Sequence, residues 1–219
     1  MASQPSFSHA DALPTAAPLA PAPSRPLAPW AKEARSYGYA PDHDHGLYAI
    51  GEVYERMDAG ALERTLFVSS LKGEGVTLLT LGRWAEGFLD TVQVFWSKGH
   101  EGALPSEAAA ILEGAECLFG VTSEDHGALA AWLRALGEPG RVEPLSGRAL
   151  LPTSKTRGEF LAKERTLGIA REDLESDEAV RATFDELDRE GCKAALWRIL
   201  EAGRADLLTG CVLLARRAA

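Results

Sequence analysis

None of the apolar runs in this chain approaches the roughly 18–20 residues needed to cross a bilayer, so no membrane association is expected. Lysine and arginine form no cluster; Arg216 and Arg217 near the end come closest to one. Together with a net charge of −9, that argues against a general nucleic-acid binder, whose affinity depends on gathered cations. Cysteine is scarce, and Cys117, Cys192 and Cys211 stand far apart among apolar neighbours. That is how buried, reduced thiols are used, not a disulfide framework, and it points to a cytoplasmic protein. No positive segment followed by an unbroken apolar run opens the chain, so no secretory signal is expected. There is no H-E-x-x-H run and no Ser-His-Asp ordering, which leaves the catalytic residues of any enzyme reading unassigned.

The residues present are those of a globular protein, 46% hydrophobic and 25% charged over 219 residues. Residues 1–29 hold seven of the twelve prolines and eight alanines, with Asp11 and Arg25 as the charged residues. Such a segment has few large apolar groups to bury, so residues 1–36 are expected to form a disordered leader. His43 and His45 flank Asp44 in a polar loop; in an extended chain the two imidazoles would share a side, but a metal site needs further ligands. Leu47, Ile50, Val53, Tyr54 and Met57 recur at helical spacing, and Gly60 can end that helix.

Residues 65–99 carry the pattern on which the rest is built. Thr65–Ser70 is a short apolar run of the buried-strand kind. Gly73 and Gly75 bracket Glu74 in a turn, and from Val76 the residues Leu78, Leu79, Trp84 and Phe88 suggest a helix. Val92, Val94 and Trp96 alternate as a second strand would, although Phe88, Val92 and Phe95 also fit a helix continuing to Gly99. A helix from Pro105 to Gly114, a strand at Cys117–Val121, a helix capped by Ser123 and ended by Gly137, and a strand at Arg141–Leu145 complete the repeat. Strands and helices alternating in this way predict an α/β fold: an open, mainly parallel sheet with flanking helices, in a flavodoxin- or Rossmann-like layout. The core is expected over residues 37–152. Residues 153–219 should form a helical C-terminal extension packed on it, punctuated by Gly168, Gly191 and Gly203, with Asp206–Arg216 as a last strand or short buried helix.

In an open α/β sheet, ligands bind at the carboxyl ends of the strands. Ser70, Lys72, Gly73, Gly75 and Thr77 are therefore the candidate ligand-binding residues: glycines let backbone N–H groups face an anion at a helix start. The stretch LFVSSLKGEGVTLLTLGRWAEGF resembles the strand–loop–helix of the partition-ATPase and bacterial tyrosine-kinase class of P-loop proteins, over about twenty residues. That resemblance implies a nucleotide with magnesium, with Thr77 at the magnesium-ligand position. The sequence departs from the pattern at Ser70, where the first glycine belongs, and at Val76, where the lysine belongs; Lys72 is the cation left to reach back. A second stretch, from VQVFWSKGHEG to ILEGAECLFGVTSEDHGALAAWL, looks like the bacterial TIR domains. Members that cleave NAD carry a glutamate where this chain has Ala135, so this resemblance implies an interaction module.

Taken together, the sequence predicts a nucleotide- or anion-binding, partner-recruiting module without an intact catalytic motif. The leader or the C-terminal helices would contact another protein. An enzyme acting on a nucleotide or dinucleotide, and a structural scaffold with no ligand, are the alternatives.

Overall fold

The computed structural model describes residues 37–39, 63–85, 88–97, 103–150, 154–167, 171 and 174–218. The leader, the helix expected over residues 47–57, and the His43/His45 loop lie outside the described residues.

The strands are β1 (Tyr37–Tyr39), β2 (Thr65–Lys72), β3 (Thr77–Ala85), β4 (Phe88–Trp96), β5 (Cys117–Gly120) and β6 (Ala149–Leu150). They form one sheet in the order β1-β4-β3-β2-β5-β6. The helices are α1 (Ser106–Leu112), α2 (Asp125–Ala135), α3 (Glu143–Ser146), α4 (Arg157–Thr166), α5 (Asp177–Glu190) and α6 (Lys193–Ala218). The α/β class and the flanking helices are as expected. The mainly parallel sheet is not: β2–β3, β3–β4 and β1–β4 are antiparallel, and only β2–β5 and β5–β6 are parallel.

The cause lies in residues 77–85, which are a strand and not a helix. Gly73–Val76 closes a tight hairpin, Gly73 N–H donating to Val76 O at 2.9 Å, with Lys72 opposite Thr77. A link of four residues can only return the chain antiparallel, since a parallel partner needs a crossover of about a dozen residues or more. The helical spacing was misleading because β3 is covered on both faces. Leu79 and Leu81 point to one layer and Leu78 and Trp84 to the other, so its apolar run is continuous. Residues 88–96 are indeed a strand. Arg141–Leu145 is not: it holds a 3-10 turn at Pro139–Arg141 followed by α3, and the strand that pairs with β5 comes later, at β6.

Alternation along β2 separates two cores. Leu66 and Val68 face α1, α2 and α3 through Ile111, Leu129, Trp132, Leu133 and Leu145. Phe67 and Leu71 face the layer of α4, α5 and α6, where Phe119, Phe160, Phe184, Ile199 and Leu207 pack. Helix α6 crosses the second face as one continuous element, not as a helix followed by a separate strand or helix. Gly191 ends α5 with φ +58°, as its position suggested. Gly203 interrupts nothing: it lies inside α6, where a Cβ would sit 2.2 Å from Thr80 Oγ1. The helix is held at that distance by Gln93, whose Nε2 donates to Leu200 O at 2.8 Å and to Thr80 Oγ1 at 3.2 Å.

Gly203→Ala separates two effects of opposite sign. Helix propensity alone would gain about 1 kcal/mol, whereas overpacking against the sheet costs about 1–3 kcal/mol. Net destabilisation is expected, read as a lower urea midpoint at unchanged slope. A variant more stable than the wild type would mean that α6 does not approach β3 so closely.

Candidate functional site

A crevice of about 290 Å³ opens where β2 and β5 end and α2, α4 and α5 begin. Its floor is Ser69, Ser70 and Thr122; Lys155, Thr156 and Arg157 form one wall and Asp177, Val180 and Arg181 another. Three helix N-termini therefore converge on one cavity. The first turn of such helices carries N–H groups without an intrahelical partner and the positive end of the dipole. Helices α4 and α5 are capped by side chains, Thr156 Oγ1 accepting from Glu159 N at 3.3 Å and Ser176 Oγ from Ala179 N at 3.1 Å. Ser123, expected to cap α2, does not; its hydroxyl donates to Lys155 O at 3.0 Å and ties the α2 start to the α4 start.

Asp125, the first residue of α2, is buried and clamps the two parallel strand ends. Its Oδ1 accepts from Ser70 N at 2.8 Å and Ser70 Oγ at 2.6 Å. Its Oδ2 accepts from Thr122 N at 2.6 Å and Thr122 Oγ1 at 3.2 Å. Burial pushes its carboxyl up to about 6, with the nearby Asp206 charge adding and the Ser70 and Thr122 hydrogen bonds opposing.

Asp206, on α6, is fully buried and sits in a different electrostatic setting. Its Oδ2 accepts from Ser69 Oγ at 2.7 Å and Arg157 Nη1 at 2.6 Å, and its Oδ1 from Arg171 Nη1 at 2.6 Å. Arg171 also grips Glu164 with two bonds, at 2.7 and 2.6 Å, and Thr209 Oγ1 donates to Glu164 at 2.8 Å. Burial alone would raise the Asp206 carboxyl, but Arg157 and Arg171 outweigh it and hold it below the ordinary aspartate value. The same two carboxylates hold Arg171 above its usual value despite burial.

The two cationic side chains at the start of α4 differ: Arg157 is committed to Asp206 through Nη1 and to Leu174 O through Nε. Arg157 is 6% exposed, and its Nη2 has no hydrogen-bond partner. The Lys155 ammonium has no partner among the described residues. Lys72, by contrast, is ion-paired with Glu124 across the mouth, an exposed contact of little energetic worth. Among the described residues no group of three or more His, Cys, Asp or Glu side chains is placed to hold a metal. Asp125 and Asp206 are already saturated by protein donors.

Of the residues singled out in the sequence, Ser70 and Lys72 line this crevice. Gly73, Gly75 and Thr77 do not. Gly73 is glycine because a Cβ there would meet Phe184 at 2.6 Å, and Gly75 because the hairpin needs φ +75°. Thr77 is paired with Lys72 and Trp96 inside the sheet. With β3 in place of a helix, the turn has no dipole to offer, and the P-loop resemblance fails at its third element. Asp125, Lys155, Arg157 and Asp206 were not found from the sequence. Nothing local marks Asp206, 137 residues from its partner Ser69.

No protein-family model matches this chain, and neither the curated proteins nor the solved structures contain a match.

The two aspartates should respond to pH in opposite directions. The Asp125 value is raised on folding, so its contribution to stability is complete below about 3.8 and is lost as pH rises through about 6. The Asp206 value is lowered, so its contribution is present above the unfolded value and is lost as pH falls through the folded one. Relative to Asp125→Asn, the wild type should lose on the order of 3 kcal/mol between about pH 4 and pH 6. Denaturant unfolding at a series of pH values measures this; a difference that stays flat across that range overturns the assignment.

Proposed function

We propose that this chain is an anion-binding α/β module whose crevice receives a small oxyanion or the phosphate of a nucleotide. The observation behind the proposal is the convergence of three helix N-termini on a cavity that Lys155 also lines. Each helix start favours negative charge. Lys155 adds a mobile ammonium at the rim. The carboxylates nearby do not cancel this attraction in full. Asp206 is paired with two arginines and Glu124 with Lys72, while the charge of Asp125 is met by four hydrogen bonds from neutral donors. Asp177, at the start of α5, is the acidic side chain left facing the mouth. Recruitment of a protein partner through the C-terminal helices has one feature in its favour: Trp197 on α6 is 57% exposed, the one large apolar side chain so exposed among the described residues.

A catalytic reading has a separate observation in its favour. A buried carboxyl in a crevice with a value of about 6 suits a proton donor or acceptor near neutral pH. Turnover of a nucleotide that survives Asp125→Asn would rule that role out.

Calorimetric titration of inorganic phosphate, AMP and ATP tests the binding proposal. Wild type should bind at least one of them below millimolar concentration. Lys155→Ala should weaken binding by about tenfold, the loss of one charge-assisted contact, and Thr77→Ala should leave it unchanged. No binding at millimolar concentration, or full binding by Lys155→Ala, sinks the proposal.

A further inference from the structure

The floor of the crevice is made of hydroxyls, and the hydrogens of all three are already committed. Ser70 Oγ donates to Asp125 at 2.6 Å, Thr122 Oγ1 to the same carboxylate at 3.2 Å, and Ser69 Oγ to Asp206 at 2.7 Å. A hydroxyl has one hydrogen and two acceptor lone pairs. With the hydrogen spent inward on a buried carboxylate, Ser70 presents only lone pairs to the cavity it lines. The wall at the start of α4 is the reverse: the Lys155 ammonium has hydrogens to give and no acceptor among the described residues. The crevice thus has a donating wall and an accepting floor.

From this juxtaposition we infer that the crevice takes an oxyanion that carries its own O–H, such as hydrogen phosphate, and discriminates against one that carries none, such as sulfate. The inference rests on the anion-binding proposal above and adds the ligand's chemical class. The anionic oxygens would accept from Lys155 and the N–H groups of the helix starts, and the ligand's O–H would donate to Ser70 Oγ, which relays to Asp125. A bare sulfate would meet the same lone pairs with lone pairs of its own. Such a mismatch discriminates strongly because a buried polar group is left without a partner. The role assigned to Ser70 is that of a specificity-determining residue, and Asp125 positions its hydrogen.

The arrangement should also depend on the charge of Asp125. The groups around Asp125 are Ser70 and Lys72 from β2, Thr122 from the loop after β5, Glu124 beside it, Lys155 and Arg157 at the α4 start, Asp177 and Arg181 on α5, and Asp206 on α6. Once Asp125 is protonated, its new O–H can be accepted by a floor hydroxyl. That hydroxyl's hydrogen can then turn outward. The accepting floor becomes a donating one, and the preference for a protonated ligand weakens.

The test compares inorganic phosphate, methyl phosphate and sulfate by calorimetry on the full chain. At about pH 8, inorganic phosphate still carries a proton, whereas a phosphate monoester, with its second pKa near 6, has largely lost it. The expected order is phosphate tightest, with methyl phosphate and sulfate both weaker by about tenfold or more. At about pH 5 the three should converge. Ser70→Ala, checked for an unchanged thermal midpoint, should bind all three with little preference at either pH. The wild-type pH series needs no variant and decides the matter even if Ser70→Ala fails to fold. Sulfate binding as tightly as phosphate at pH 8 overturns this inference and leaves the anion site standing. Binding of none of the three removes the anion site as well.

Discussion

The buried carboxylate of Asp206 is the constraint on which the second face of the sheet depends. It stands on α6 at zero exposure and would be prohibitively costly as a lone charge. Three elements converge to satisfy it: Ser69 from β2, Arg157 from the start of α4, and Arg171 from the segment between α4 and α5. Those contacts set the register of α6 against the strands, so that Gly203 meets Thr80 and Leu207 meets Gly82. The cluster pairs two arginines with two carboxylates, Asp206 and Glu164, so its formal charge closes to zero inside the protein. Such a cluster is weak evidence for added stability over a well-packed apolar core, but removing one member leaves an uncompensated buried charge, at a cost of about 3–5 kcal/mol. Its role in this fold is to specify an arrangement rather than to strengthen it.

One consequence reaches the crevice. Arg157 is committed through Nη1 to Asp206, which fixes the guanidinium plane and leaves Nη2 pointing where no protein acceptor stands. A lysine at that position would swing freely, whereas the guanidinium is held at two points, by Asp206 through Nη1 and by Leu174 O through Nε. Asp125 does a parallel job on the opposite face of β2. Because neighbouring residues of a strand point to opposite faces, Ser69 reaches Asp206 and Ser70 reaches Asp125. Two successive serines thus bring the two helical layers to one point at the strand end.

How much of this could be seen in the sequence varies from element to element, for physical reasons. Strand β2, helix α1, strand β5 and helix α2 are short elements bounded by clear punctuation, and each stood out. Strand β3 did not, because a strand buried on both faces has no period of two to reveal it, and Leu78, Leu79 and Leu81 fit a helix equally well. Gly203 looked like a stop signal since glycine is poor in helices; its true reason is a contact with Thr80, 123 residues away. The same holds for the site. Ser70 and Lys72 could be placed at a strand end from local pattern, but Asp206 acquires meaning only once α6 lies across β2, and no local periodicity encodes that. The TIR-like resemblance rests on the stretches from VQVFWSKGHEG to ILEGAECLFGVTSEDHGALAAWL, which say nothing about whether a turn such as Gly73–Val76 closes a hairpin.

That hairpin decides where a ligand site can form. In a parallel pair, both strands leave the sheet at the same end, and the helices that follow begin there, so their N-termini gather. In an antiparallel pair, the ends alternate and no such gathering occurs. The sheet has both kinds: β1, β4 and β3 join β2 through antiparallel pairings, while β2, β5 and β6 run parallel. The glycine-rich turn belongs to the antiparallel half, and its geometry is spent on reversing the chain. The crevice stands at the parallel half, at the end shared by β2 and β5. The residues fit that division: the turn offers Glu74 beside two glycines, whereas the crevice offers the Lys155 ammonium and the starts of α2, α4 and α5. Strand β2 is the element that both halves share, and the turn and the crevice both lie at its end.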